Sequence, residues 1–170
     1  MKRQLIVPVI SMAVLFGCAA AVVSGPQNVN YPANKGVLYG TVDRADNKQV
    51  RELYAPGAVI EAVKAGKPVP PGTLTMVLYK AQVDAQGDPV KGANGRFQKG
   101  DQIAHFVMEK RAGWGADYGP EKRNGEWEYR AFTPDGQAND KTDVGPCFTC
   151  HLKVTSTDYL FSTAMMKAAK

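Results

Sequence analysis

"CFTCHLKVTSTDYLFS", residues 147–162, places two cysteines three positions apart with a histidine directly after the second. Three chemistries use a C-x-x-C pair: a redox disulfide, a zinc clip and covalent attachment of haem. A zinc site needs four ligands, or three and a water. Beyond the N-terminal segment the chain offers Cys147, Cys150 and two histidines, and His151 is poorly placed to share one ion with both thiolates. A thioredoxin-like pair would open a helix within a βαβ unit. Here the pair lies roughly twenty residues from the C-terminus, after a run of strand-like segments. The third pattern is C-x-x-C-H, in which both thiols add to neighbouring haem vinyl groups and the next residue brings its imidazole under the iron. On this reading the chain carries one covalently attached haem c, with Cys147 and Cys150 as thioether anchors and His151 as the metal ligand.

Upstream, the hydrophobic pattern has the period of strands. "TLTMVLYKA" (73–81) alternates Leu74, Met76 and Leu78 against Thr73, Thr75, Val77 and Tyr79. In "QIAHFVMEK" (102–110) Ala104, Phe106 and Met108 fall on one face and Ile103, His105 and Val107 on the other. "EWEYRAF" (126–132) separates Trp127, Tyr129 and Ala131 from Glu126, Glu128 and Arg130, and Asn124-Gly125 ahead of it is a hairpin signal. "VLYGTV" (37–42) is a further short strand, and "PGAVIEAVKAG" (56–66) is a short amphipathic helix that Pro56 opens and Gly66 ends. The expected fold is mainly β (α+β): an antiparallel sheet with one or two short helices, the C-terminal haem segment and a helix-like tail from Asp158. Trp114, Trp127 and Tyr129 are read as core or pocket wall.

The N-terminus reads as an export signal. Lys2 and Arg3 precede an apolar run from Leu5 to Gly17, too short for a membrane-spanning helix. "LFGC" (15–18) is similar to a lipoprotein processing site that would leave Cys18 as a lipid anchor, and ordinary cleavage among the alanines or near Ser24 is the alternative. Residues 1–18 are therefore assigned to the signal, 19–36 to a polar linker and 37–170 to one domain, placed in the periplasm. Outside the cytosol the Cys147–Cys150 pair needs a use other than free thiols. The 21 basic residues lose two with the signal against 16 acidic ones, and no basic run marks a nucleic-acid surface.

The C-terminal segment resembles the ending of the cytochrome P-460 and cytochrome c-prime-beta family, in which CxxCH is followed by a short spacer and an Asp-aromatic-aliphatic-Phe group, here Asp158, Tyr159, Leu160 and Phe161. "PPGTLTMVLY", "GRFQKGDQIAHFVMEKR" and "GEWEYRAF" are similar to its strands, so that the resemblance spans roughly residues 37–165. It implies a two-layer antiparallel fold, a pentacoordinate haem and a tendency to homodimers. Members with a lysine cross-linked to the porphyrin and a distal carboxylate oxidise hydroxylamine. Those lacking both line the pocket with phenylalanine and bind nitric oxide. Counting forward from Gly72-Thr73 puts the lysine position at Val77, which is favoured; counting back from Gly100-Asp101 puts it at Lys80, otherwise a solvated strand-end lysine. The carboxylate position falls on Phe106, which cannot accept a proton and crowds the sixth site; its plain alternative is core packing. The implied function is binding of a small gaseous or nitrogen-oxide ligand, with a redox partner protein. The alternatives are hydroxylamine or nitric oxide oxidation through Lys80, and electron transfer with Met108 or His105 as sixth ligand.

Overall fold

The computed structural model describes residues 24–170. Its centre is one five-stranded sheet in the order β1-β2-β3-β4-β5, every neighbouring pair antiparallel: β1 (Val37–Arg44), β2 (Gln49–Ala55), β3 (Gly72–Ala81), β4 (Lys99–Lys110) and β5 (Trp127–Phe132). Helix α1 (Gly57–Lys64) interrupts the meander between β2 and β3. Helix α2 (Gly145–His151), a 3-10 turn (Leu152–Thr157) and α3 (Thr163–Ala168) close the chain. The mainly β fold expected from the alternating segments is the fold observed. Among the described residues no helix is long and apolar enough to cross a membrane.

Directly paired residues of an antiparallel sheet share a face, so the register assigns the two sides. Leu53, Met76, Phe106 and Ala131 form one row of the front face, and Leu74, Met108 and Tyr129 form the next. One half of this face is covered: Val59, Ile60 and Val63 of α1, Phe148 of α2 and Met166 of α3 pack with Leu74, Trp127 and Tyr129 in the main core. The other half is only partly covered, and Leu53, Met76, Ala104 and Phe106 there are half-buried.

Three expectations are corrected. Strand β2, "QVRELYA", goes unassigned by the sequence pattern, because a charged turn at 45–48 precedes it and Pro56 starts a helix directly after it. Asn124-Gly125 is not a tight hairpin: sixteen residues, 111–126, join β4 to β5, and Asn124 is wholly buried beneath α2. The segment read as a linker over 19–36 is, from Ser24 to Tyr31, a strap across the back face. Val29 is fully buried there with Val107, Trp114 and Phe132, and Tyr31 packs against them. Polar bonds fix it. Arg130 Nη1 donates to the carbonyls of Gln27 (3.1 Å) and Val29 (3.2 Å), and the Gly115 amide donates to Ser24 Oγ. The domain therefore begins at least as early as Ser24. The signal segment and Cys18 lie outside the described residues.

Candidate functional site

Helix α2 is short because Pro146 suits its first turn and the chain tightens into the 3-10 turn at Leu152. It is pinned by a buried amide. Asn124 Nδ2 donates to the Phe148 carbonyl (3.1 Å), and Asn124 Oδ1 accepts from Tyr129 Oη (2.8 Å). Cys147 and Cys150 are one helical turn apart on α2, both free thiols, Cys147 half-buried against the main core and Cys150 exposed. Burial pushes the Cys147 thiol above its ordinary pKa, and the Cys150 thiol beside it adds to the shift.

After the 3-10 turn, Asp158 and Tyr159 both take left-handed backbone angles, φ 51° and 62°. For residues with a side chain this conformation is costly, and the surroundings hold it in place. Asp158 Oδ2 pairs with Lys110 Nζ at 2.7 Å, Trp127 Nε1 donates to the Asp158 carbonyl at 3.1 Å, and Gly125 lies under the Tyr159 ring. The reversal brings the Tyr159 carbonyl to 2.6 Å from His151 Nδ1. A carbonyl only accepts, so Nδ1 carries the proton and Nε2 keeps a free lone pair. Desolvation lowers the His151 pKa and so favours the neutral ring. Tyr129 and Phe161 flank the imidazole, each with its ring centroid 5.1 Å away, and Phe161 is 54% exposed.

These residues fit a haem c. Two unpaired thiols at C-x-x-C spacing would supply the thioether anchors, and a neutral imidazole oriented through Nδ1 would offer Nε2 to the iron. A half-covered apolar face and an exposed phenylalanine adjoin them. A zinc clip finds no support, since among the described residues no group of three or more His, Cys, Asp or Glu could hold a metal ion.

The distal assignments separate. Phe106 stands on the front face opposite Met76, whereas Val77 pairs with His105 on the back face and is 1% exposed. Val77 and Phe106 therefore cannot line one pocket, and the register favouring Val77 is corrected. The strand alternation places Lys80, an exposed residue, on the front face with Met76 and Leu78. Counting along β3 misled because β4 carries two register shifts, between its partners for Leu78 and Tyr79 and for Tyr79 and Ala81. His105 is buried behind the sheet, edge-on to Tyr31 at 5.0 Å, with the sheet between it and His151. Met108 shares the front face and packs on the main core. Sequence reasoning missed the site's supports, Asn124, Lys110 and Gly125, because none is near α2 in the chain. It also missed Leu53, which lies on the unassigned strand.

No curated protein matches the chain. Among protein families, the one described as Cytochrome P460 matches residues 30–162, a span holding all five strands, the C-x-x-C-H helix and the Asp158–Phe161 reversal. The chain belongs to the cytochrome P460 family, and its cofactor is a covalently bound haem c.

Proposed function

We propose that this protein is an exported mono-haem cytochrome that binds small uncharged ligands, nitric oxide foremost, at an open sixth position, working with a redox partner protein. The observation that carries the reading is the chemistry of the front face. His151 offers one neutral nitrogen, and the half-covered row of Leu53, Met76 and Phe106 offers neither a base nor a charge. When bound, haem iron supplies a site for a diatomic ligand. The chain's own part is to orient His151 through Tyr159, exclude water with apolar side chains and leave no carboxylate where a substrate proton would have to go. Export, processing at Cys18 with or without lipid, and pairing into a homodimer belong to the same proposal.

A second reading has one observation in its favour: Lys80 is on the front face, the side a porphyrin cross-link would require. In that case the protein would oxidise hydroxylamine or nitric oxide. Two measurements separate the readings. Nitric oxide titrated into the reduced protein should bind one equivalent per haem while hydroxylamine is not turned over, and a denatured proteolytic digest should show haem mass only on the Cys147–Cys150 peptide. Haem mass on the Lys80 peptide together with hydroxylamine turnover would replace the first reading with the second.

A further inference from the structure

The front face has a charge pattern that ligand binding does not use. Where the strands pair in regular register, its charged residues are Arg44, Arg51, Lys80 and Lys110, all cations, whereas Asp43, Glu52, Glu109 and Glu128 point to the back. Lys110 is neutralised by Asp158, and Arg44 by Asp46 in the β1–β2 turn. Arg51 has no such partner. Its Nε is buried without a hydrogen bond, and its Nη2 donates only to the neutral Gln49 amide at 3.2 Å. Burial and the neighbouring Arg44 charge disfavour its cation, and Asp46, already paired with Arg44, offsets only part of this. A half-buried guanidinium with an orphaned donor, set among other cations, calls for an anion.

We propose, on the haem reading above, that Arg51 holds a haem propionate. Position supports this assignment over a freely diffusing anion. The anchor Cys147 packs at the end of the face where Trp127 and Tyr129 lie. Arg51 is level with Leu78 and Ala104, two rows beyond Tyr129, roughly 13 Å along the strands by their rise. A porphyrin carries its propionates on the half of the ring away from its vinyl groups, so anchoring the vinyl edge at α2 directs the carboxylates toward this end. The guanidinium fork suits a carboxylate, which a lysine meets only as a point charge. The groups facing Arg51 are Arg44 on β1, Lys80 and Leu78 on β3, Gln49 on its own strand and Asp46 in the turn.

The test is the pH dependence of the reduction potential of haem-loaded wild type, Arg51→Gln, Arg51→Lys and Lys80→Gln, from about pH 5 to 9, with nitrite affinity of the ferric forms measured alongside. An adjacent cation keeps a propionate ionised. Without it the propionate protonates at higher pH, and the potential should begin its climb on acidification about one unit earlier in Arg51→Gln, with Arg51→Lys between and Lys80→Gln like wild type. Coincident profiles for Arg51→Gln and wild type would overturn the proposal, even with a lowered melting temperature, since Arg51 would then serve packing alone. A shift in Lys80→Gln but not in Arg51→Gln would also overturn it. So would lost nitrite affinity in Arg51→Gln with an unmoved profile, which would assign the guanidinium to an exogenous anion. A wild-type chain matured without covalent haem would overturn the underlying haem reading, a result distinct from all of these.

Discussion

The residue on which the site turns is Tyr159, whose contribution is a carbonyl. Its left-handed backbone aims that oxygen at His151 Nδ1, and this settles which imidazole nitrogen is left for a ligand bond. The conformation is supported from below by Gly125, itself at φ 60°, where an added Cβ would come within 2.8 Å of the Tyr159 ring. Gly125→Ala should cost about 1–2 kcal/mol from its own left-handed angle alone. It should also shift Tyr159, lengthening the bond to His151. The expected outcome is a lower melting temperature together with a lowered iron–histidine stretching frequency in the reduced protein's Raman spectrum. A stability loss with an unchanged stretch would mean that Tyr159 does not govern the ligand. Of this site, the C-x-x-C-H motif was legible in the sequence because its spacing is local, and the Asp158–Phe161 group was marked out only by the family resemblance. The supports were not, because Asn124, Gly125 and Lys110 act across the sheet.

Among the elements, β5 shows how far alternation carries and where it stops. The pattern of "EWEYRAF" correctly puts Trp127, Tyr129 and Ala131 together, yet its polar side is not a water face. Glu128 is fully buried on the back of the sheet, directly across from Glu109, with the Tyr118 hydroxyl and the Gly25 backbone beside its carboxylate. The covering strap was read as a tether because "SGPQNVNYPANK" has the composition of one, and its anchorage rests on Val29, Tyr31, the Ser24 hydroxyl and a few main-chain carbonyls. Burial raises the Glu128 pKa, with the Tyr118 hydroxyl, the Lys122 charge and the Gly25 backbone offsetting only part of the effect. The sign follows from proton linkage: between the unfolded-state value, about 4.3, and the raised folded value, the native state holds the extra proton, so stability falls as pH rises through that window. Glu128→Gln should match wild type near pH 4 and become the more stable protein by a widening margin toward neutrality. Denaturant melts at several pH values would show this, and a constant difference across the series would refute it.

At the scale of the whole molecule, the sheet separates two tasks. Its back carries the strap packed on Val107, Trp114 and Phe132; its front is half closed by three short helices, and the other half is the face we propose for the cofactor. Removing residues 24–31 exposes Trp114 and Phe132, withdraws Val29 and strips Arg130 of two acceptors. The expected loss is about 3 kcal/mol or more, with haem attachment retained, read by guanidinium unfolding of the haem-loaded protein. Wild-type stability in the truncated chain would make the strap a tether after all. The central claim, one haem held by Cys147, Cys150 and His151 with its other side open, is tested most directly by the optical and electron paramagnetic resonance spectra of the purified protein, ferric and reduced, before and after nitric oxide. The account predicts a high-spin five-coordinate iron whose Soret band shifts when the gas is added. A low-spin six-coordinate iron that ignores the gas would contradict it and make Met108 the first sixth ligand to examine.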